Sequence, residues 1–432
     1  MKYLKQFSLY TLVGVFNTGI NFFLMPYLSH FIKPDAYGIL SMVNSFVSIL
    51  IPLIGLVASG LIFVEYYKGH NKSEFASIFS SIQVIPFALT IVLLIPALLF
   101  QTSIAGFLEI PKMKSYWIPI SIIIAFLSVY NDTLLSLNVT EQKPVSYTTF
   151  AISKVIVEVA LTVLFVTVFK WDWEGRLLSW LTSNLVFFFI SLWYFRRAEL
   201  FTRRITWNYM RAGILFGLPL ILHTIGKFVV NQSDRVFIAK MVSLDEAGIY
   251  NIGYQVGLVI LLVINAAGNF YNPFLYERLE RFDADAKRQI VITSYLLIML
   301  FAVSLIFIVL IAPVLFSFLI DKAYSEGQKY VFWVGLSYFF WGIYIIYSGF
   351  IFYSKKTGFL GWLAILNVLL NVILNFLLIK QFGALGAAYA TCISFFVIAA
   401  IVVFYATRLY NLPWFNFRYA QKVGLQKKIL DR

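Results

Sequence analysis

Three basic side chains interrupt long apolar stretches of the sequence, where a charge is costly to bury. Lys227 and Arg235 lie eight residues apart, which on a helix is roughly 80° of rotation and about 12 Å of rise, so one broad face carries both cations. Lys227 has no acidic residue four positions away on either side, and Lys154 stands in a separate apolar stretch. Ionisable groups in such surroundings usually face a bundle interior or a wet cavity. The pattern therefore predicts a functional cationic site led by Lys227.

Uncharged polar residues extend this site along the same faces. His223, Lys227 and Asn231 are spaced by four residues, and residues at that spacing are neighbours on a helix. Shifting the sequence by 210 residues places Asn17 and Asn21 on Lys227 and Asn231. We predict that these residues line a cavity. His223 lies nearer the end of its stretch, where simple solvation is the alternative.

Three acidic residues in or near the apolar stretches are candidates for binding a coupling ion: Glu158, Asp132 and Asp234. Each has a structural alternative. Glu158 could pair with Lys154, which precedes it by four residues, and Asp234 could pair with Arg235. Asp132 lies close to the end of its stretch, which favours a structural role. A further series, Asn367, Asn371 and Asn375, could either join helices by hydrogen bonds or line the cavity.

The elements that position these residues are membrane-spanning helices. The chain of 432 residues is 61% hydrophobic and 12% charged, whereas soluble domains carry about 25% charged residues. About 20 apolar residues cross a bilayer as a helix. The apolar blocks predict twelve spans, at 8–32, 38–65, 76–100, 115–137, 146–169, 176–195, 211–240, 246–275, 289–319, 329–353, 358–379 and 384–407.

The distribution of positive charge predicts the orientation of these spans. With the N-terminus inside, and with basic residues at the span ends counted with the adjoining segments, 22 of the 34 Lys and Arg fall in inner segments, 9 in outer segments and 3 inside spans. This asymmetry follows the positive-inside rule and places both termini in the cytoplasm. The basic tail would then meet anionic membrane lipids. The net charge of +14 is thus explained without nucleic acid as a partner.

Two pairs of similar segments predict that the chain contains an internal repeat. The stretch KPDAYGILSMVNSF at 33–46 aligns with SLDEAGIYNIGYQV at 243–256 after a shift of 210, and EGRLLS at 174–179 aligns with LGAAYA at 385–390 after a shift of 211. The predicted parts are an N-terminal lobe at 1–195, a basic connector at 196–210, a C-terminal lobe at 211–407 and a basic tail at 408–432. Parallel repeats of this kind are related by an axis along the membrane normal and enclose a substrate site at mid-membrane in transporters that work by alternating access.

Enzymatic chemistry has no support in the sequence. No phosphate loop, HExxH, GxSxG or paired Cys/His metal set is present, and the single cysteine, Cys392, allows no internal disulfide. No outer loop is long enough for a catalytic domain, which disfavours a membrane-bound polymerase or ligase. The sequence therefore predicts a non-enzyme without a cofactor.

Five motifs extend over essentially the whole chain: DAYG at 35–38, SDR at 233–235, EAGIY at 246–250, the asparagine series at 367–375 and FGALGAA at 382–388. Through these motifs the chain resembles the polysaccharide-unit (O-antigen) flippases of the multidrug, oligosaccharidyl-lipid and polysaccharide exporter superfamily.

The resemblance implies an all-α polytopic protein with two six-helix lobes in a V around a central cationic cavity. It implies transport of undecaprenyl-pyrophosphate-linked oligosaccharide from the cytoplasmic to the outer leaflet of a bacterial inner membrane, as in lipopolysaccharide biosynthesis. Lys227 and Arg235, with Lys154 as a third contact, would then hold the pyrophosphate, because cations in a low-dielectric cleft attract it. Other polysaccharide assembly proteins are potential partners, and coupling to protons, sodium or voltage stays open. The main alternative is an ion-coupled multidrug exporter of the same superfamily.

Overall fold

A computed structural model describes residues 19–20, 22–56 and 58–414, without the side chains at 58, 59, 219, 220, 222, 223, 225, 227 and 228. These residues form helices and no strand. Residues 22–29 are helical. The following helices are α1 Pro34–Gly55, α2 Ala58–Tyr66, α3 Lys72–Leu99, α4 Gln101–Phe107, α5 Trp117–Thr140, α6 Pro144–Thr162, α7 Asp172–Arg197, α8 Trp207–Met241, α9 Leu244–Gly257, α10 Ile260–Arg281, α11 Ala284–Phe318, α12 Gln328–Tyr353, α13 Thr357–Phe382 and α14 Leu385–Leu409.

The helices confirm an all-α polytopic membrane protein. Among the described residues, nine stretches are long and apolar enough to cross a membrane, or ten if α9 and α10, bent by 40°, form one span. Helix α8 covers the predicted span 211–240, and the helical residues 22–29 fall in the first predicted span. Asn17, Asn21 and the tail from residue 415 lie outside the described residues.

The helices form two compact units, Met1–Ile252 with Leu319–Ser325 and Gly253–Phe318 with Glu326–Arg432. In the first unit α5 packs on α1, α3 and α7, while α8 packs on α1 and α3. In the second unit α12 packs on α10, α11 and α14, and α13 packs on α14. Packing thus groups α8 with the first unit. The predicted division into an N-terminal lobe at 1–195 and a C-terminal lobe at 211–407, joined by the connector at 196–210, stays a prediction.

The first repeat match has a direct structural counterpart in the first unit. A Cβ on Gly38 would lie 2.1 Å from the Leu244 carbonyl oxygen, and a Cβ on Gly248 would lie 2.0 Å from the Pro34 carbonyl oxygen. The shift of 210 converts Pro34 into Leu244 and Gly38 into Gly248, so the two contacts are equivalent. Such reciprocity is the mark of a two-fold relation between like surfaces. The glycines are required because each helix start touches the backbone of the other.

The second repeat match also consists of glycines at close backbone contacts. A Cβ on Gly175 would lie 3.0 Å from the carbonyl carbon of Phe165, and one on Gly386 would lie 2.2 Å from the Leu378 carbonyl oxygen. In both places the start of a helix packs against the end of the helical segment before it, which for Gly175 is the π-helical segment Val163–Val168 that continues α6. The matched sequence positions therefore serve the same packing purpose in the two compact units.

A charged turn between α2 and α3 centres on a histidine. The Nε2 atom of His70 lies 2.8 Å from Glu65, its Nδ1 atom lies 3.2 Å from Glu74, and Asn71 caps α3 by accepting a hydrogen bond from the Glu74 backbone amide. The hydrogen bond with Glu65, followed by that with Glu74, raises the pKa of His70 above its usual value near 6.5. The imidazolium therefore links both carboxylates across the turn.

We expect the interactions of His70 in this turn to contribute more to the stability of the protein at mildly acidic pH than at alkaline pH. Because the pKa of His70 is raised in the folded protein, its contribution to stability is complete below about pH 6.5 and is lost as the pH rises through the folded pKa. His70→Gln should lower the thermal stability at pH 6 and leave it nearly unchanged at pH 9. The chain has only 3 histidines, so imidazole NMR with His70→Gln for assignment gives the pKa directly. A value at or below 6.5 would contradict the geometry.

Candidate functional site

A cation and an acid face each other on α5 and α6. Lys154 is half-buried and Asp132 is exposed, and the Lys154 ammonium acts electrostatically on the Asp132 carboxylate. The charge of Asp132 also acts on the Tyr147 hydroxyl. Among the described side chains no carboxylate forms an ion pair with Lys154. Lys154 is thus a cation within an apolar helix that keeps accessible surface and, among the described side chains, interacts with Asp132 without forming an ion pair.

Glu158 forms an ion pair with Arg176, a partner that its sequence spacing does not predict. Its Oε1 atom lies 2.8 Å from the Arg176 guanidinium, and the two side chains are 17% and 18% exposed. Arg176 also donates to the hydroxyls of Thr162 and Ser179 at 3.2 and 3.3 Å. The hydroxyls lie 2.7 Å apart and are fully buried. Glu158 is therefore tied into a network that joins α6 to α7, and the alternative pairing with Lys154 is not formed.

We expect this network to matter for stability. Removing one partner of a buried ion pair costs about 3–5 kcal/mol because the other charge is left uncompensated, and somewhat less where some exposure remains, as here. Glu158→Gln and Arg176→Gln should each lower the thermal stability of the purified protein clearly. The double variant should lose less than the sum of the two, since neither charge is then stranded. Strictly additive losses would show that the pair is not coupled.

The charges on α8 lie within helix packing. Arg235 is 3% exposed; its Nη1 donates to the Asn231 carbonyl oxygen at 2.7 Å, and Nε and Nη2 each lie 3.3 Å from Asn251 Oδ1. Its guanidinium lies over the Tyr250 ring, 5.6 Å from the centroid. Asp234 is fully buried and accepts a hydrogen bond from the Tyr250 hydroxyl at 2.8 Å. Both charges thus connect α8 to α9.

The other predicted positions on α8 are only partly described. The backbone at positions 223 and 227 is helical, whereas the side chains of His223 and Lys227 lie outside the described residues. Asn231 is half-buried, and its carbonyl oxygen accepts a hydrogen bond from Arg235. The roles of Lys227, His223, Asn17 and Asn21 therefore stay predictions.

The asparagine series on α13 packs between helices. Asn371 and Asn375 are fully buried, and Asn367 is 7% exposed. Asn371 lies 3.3 Å from the Thr391 hydroxyl on α14, and Asn375 donates to Asn371 at 3.0 Å. Of the two interpretations, the geometry favours hydrogen bonding between helices.

Several contributors escaped the sequence analysis because their partners are distant in sequence. Arg176 was visible only as part of a repeat match, and Tyr250 and Asn251 only as part of another. The sequence did contain a signal for Arg176. Glu158 lies before the turn between two consecutive spans and Arg176 lies soon after it, so the two opposite charges could have been predicted to pair. Nothing in the spacing of Tyr147 pointed to Asp132. The described residues include no group of three His, Cys, Asp or Glu able to hold a metal ion.

Comparison with known proteins yields both sequence and fold relatives. A family model described as polysaccharide biosynthesis protein matches residues 3–271. Protein 1 of the Lsg locus of Haemophilus influenzae is 27% identical over 286 residues, which is 65% of this chain and 68% of that protein. An uncharacterized membrane protein of the same organism is 22% identical over 93% of this chain and 94% of its own length.

Two solved structures share the fold. An inward-facing multidrug resistance transporter of the MATE family, within the MOP superfamily, superposes with a TM-score of 0.75 at 11% identity and covers 91% of this chain and 94% of its own. The lipid II flippase MurJ gives a TM-score of 0.74 at 15% identity, over 92% of this chain and 87% of its own. At such identities the likeness concerns the fold alone.

Proposed function

The chain belongs to the polysaccharide biosynthesis protein family, and we propose that it moves undecaprenyl-pyrophosphate-linked oligosaccharide from the cytoplasmic to the outer leaflet of a bacterial inner membrane. The family match and the transporter fold support the general class, a flippase-like membrane transporter. The lipid-linked substrate, the direction of transport and the location in the inner membrane are what we propose beyond this class.

Lys154 is the observation that carries the proposal. It is a half-buried cation in an apolar helix, close enough to Asp132 to interact with it but without an ion pair among the described side chains. A charge within a membrane span is energetically unfavourable, and such charges are rare and usually lie on substrate pathways. The position of Lys154 therefore favours a functional role. A pyrophosphate, with about two negative charges, is a suitable ligand for it. Lys227 and Arg235 are the further proposed contacts. Arg235 would have to exchange its hydrogen bonds to Asn231 and Asn251 for the pyrophosphate.

The proposed direction follows from the charge distribution. Basic segments on the inner side orient the chain with both termini in the cytoplasm. Moving an anion outward in an inside-negative membrane is downhill by about 2.3 kcal/mol per charge per 100 mV if the charge crosses the whole field. Voltage alone could therefore drive the proposed step.

Leaflet-resolved labelling tests the proposal. Cells that lack the protein should accumulate lipid-linked glycan that an impermeant glycan-modifying reagent cannot reach. Restoring the full chain should return the glycan to the outer leaflet. Normal labelling in cells without the protein, in the absence of a second flippase gene, would exclude this function.

The alternative is an ion-coupled multidrug exporter, and Asp132 is the observation that favours it. This acid is exposed and has no ion pair among the described side chains, so it could bind an organic cation. Loss of the protein would then raise drug sensitivity and leave the glycan lipid labelling intact. A polysaccharide polymerase or ligase has the least support of the three candidates. Such an enzyme would need a large outer loop for its catalytic residues, whereas the described helices are joined by short connections.

Ion coupling can be tested on the three acids together. Glu158 is paired with Arg176 and Asp234 holds Tyr250, whereas Asp132 is accessible. Asp132 is therefore the strongest proposed proton or sodium site. Transport in vesicles that follows voltage alone, with no response to either ion gradient, would remove all three acids from this role.

A further inference from the structure

A cavity of about 490 Å³ lies in the first unit, where α5 and α7 begin and α6 has ended. Its lining includes Lys114, Trp117, Lys170, Trp171, Asp172 and Glu174. The volume falls in the usual range for small-molecule sites, about 300–1,000 Å³. Helix α7 runs from this cavity to the basic connector, so the cavity lies at the opposite end of that span. With the proposed orientation it is on the outer face.

One wall of the cavity is fully built from the protein's own contacts. The Glu174 carboxylate accepts from Lys114 Nζ at 2.5 Å, from the Tyr116 hydroxyl at 2.5 Å and from Trp117 Nε1 at 2.8 Å. The Lys114 ammonium also lies 5.1 Å from the centroid of the Trp173 ring. These groups are committed to one another, so they shape the cavity and hold it rigid.

Three consecutive residues of the lining, Lys170, Trp171 and Asp172, carry groups with unused stacking or hydrogen-bonding capacity. Trp171 is 47% exposed and stacks on Phe165, with the ring centroids 5.4 Å apart and the planes inclined by 26°. The Oδ1 atom of Asp172 is buried and accepts no hydrogen bond. Lys170 is exposed and has no ion pair among the described side chains. This segment of the lining thus combines a stacked aromatic ring, a carboxylate with one oxygen that accepts no hydrogen bond, and an ammonium donor.

This combination suits a sugar ring. Carbohydrates present both hydroxyl donors and acceptors, and their C–H faces pack on aromatic rings as other apolar surfaces do. A phosphate is a poor fit, because the two lysines of the lining are balanced by two carboxylates that would repel it. The half-buried Asp172 carboxylate supplies a further hydrogen-bond acceptor in the lining.

We propose that this cavity binds the glycan part of the transported substrate on the outer face of the membrane, with a sugar ring stacked on Trp171 and hydroxyls bonded to Lys170 and Asp172. The inference rests on the proposed function for the choice of ligand and of the outer side. The cavity is separate from the charged residues on α6 and α8, so it is a second, uncharged-ligand site.

The test is direct binding of free glycan to the purified full chain. Oligosaccharides released by partial acid hydrolysis of the host's surface polysaccharide, freed of lipid and phosphate, are titrated against the protein by calorimetry. We expect saturable binding that Trp171→Ala weakens by about tenfold and Lys170→Ala by a smaller factor. Trp171→Phe keeps an aromatic ring and should retain most of the affinity, which separates loss of the ring from misfolding.

The matched control is Trp207→Ala. Trp207 is 64% exposed and is the first residue of α8, within the predicted connector at 196–210, so its removal should leave glycan binding unchanged. Inorganic pyrophosphate should not displace the glycan. No binding to the wild type, equal binding by Trp171→Ala, or displacement by pyrophosphate would each overturn the site. Leaflet labelling reports on the transport function independently, so glycan binding at Trp171 with normal labelling in cells lacking the protein would reject the function and keep the site.

Discussion

Replacing Lys154 with alanine is expected to slow glycan-lipid transport by roughly tenfold to a hundredfold at limiting substrate. A hydrogen bond to a charged group contributes about 1.5–3 kcal/mol, and each 1.4 kcal/mol is about tenfold in affinity. The side chain is half-buried in α6 and forms no ion pair among the described side chains, so its removal breaks no salt bridge there. The measurement is initial transport rate against substrate concentration in vesicles, normalised to inserted protein.

Four variants make this result interpretable. Lys154→Arg keeps the charge and should retain partial activity, although Arg is not an equivalent donor. Lys355→Ala removes an exposed loop lysine and should be nearly silent. Asp132→Asn removes the neighbouring acid and should preserve anion binding, whereas an ion-coupling role for Asp132 predicts loss of gradient dependence. Lys227→Ala is expected to abolish transport nearly completely, as its position in the sequence predicts.

A stably inserted Lys154→Ala protein that transports at the wild-type rate would exclude Lys154 from the pyrophosphate site. Arg235→Ala is a poor substitute for this test. Arg235 is 3% exposed and bonded to Asn231 and Asn251, so its loss should lower stability whatever its role in transport. Only a variant with normal thermal stability can separate the two effects.

Gly38→Ala and Gly248→Ala are each expected to destabilise the protein severely. Their methyl groups would lie 2.1 and 2.0 Å from the carbonyl oxygens of Leu244 and Pro34. Backbone atoms of two helix starts cannot yield as a side-chain tip can, so α1 and α9 must separate. Overpacking typically costs about 1–3 kcal/mol, occasionally more. We expect a lower unfolding temperature, reduced yield of folded protein and a corresponding loss of transport.

Gly361→Ala on α13 is the control for these glycines. A Cβ there would meet no atom within 4 Å, and Ala is favoured over Gly within a helix by about 1 kcal/mol. Its stability should be equal to that of the wild type or higher. If Gly38→Ala and Gly248→Ala behave like Gly361→Ala, the close reciprocal contact between the two repeat segments does not exist.

The sequence alone determined the membrane class, the helical spans and the positions of the repeat matches. Hydropathy determines spans because a bilayer requires each crossing segment to be apolar and to satisfy its own backbone hydrogen bonds, which are local properties. The repeat was visible at Gly38 and Gly248 because identical packing demands keep the same residue type in both copies. The reason for those glycines, a backbone contact between 34–38 and 244–248, required the structure.

The tertiary structure decided which charges are accessible and which are committed. Spacing by four suggested that Glu158 pairs with Lys154, yet helix packing brings Arg176 to 2.8 Å from Glu158. Arg235 has ligand-like chemistry in sequence, but α9 supplies Tyr250 and Asn251 and covers it. A sequence pattern reports the face of one helix, whereas ion pairing and burial depend on neighbours supplied by other helices. That physical difference is why the spans were predictable and the partners of the charged side chains were not.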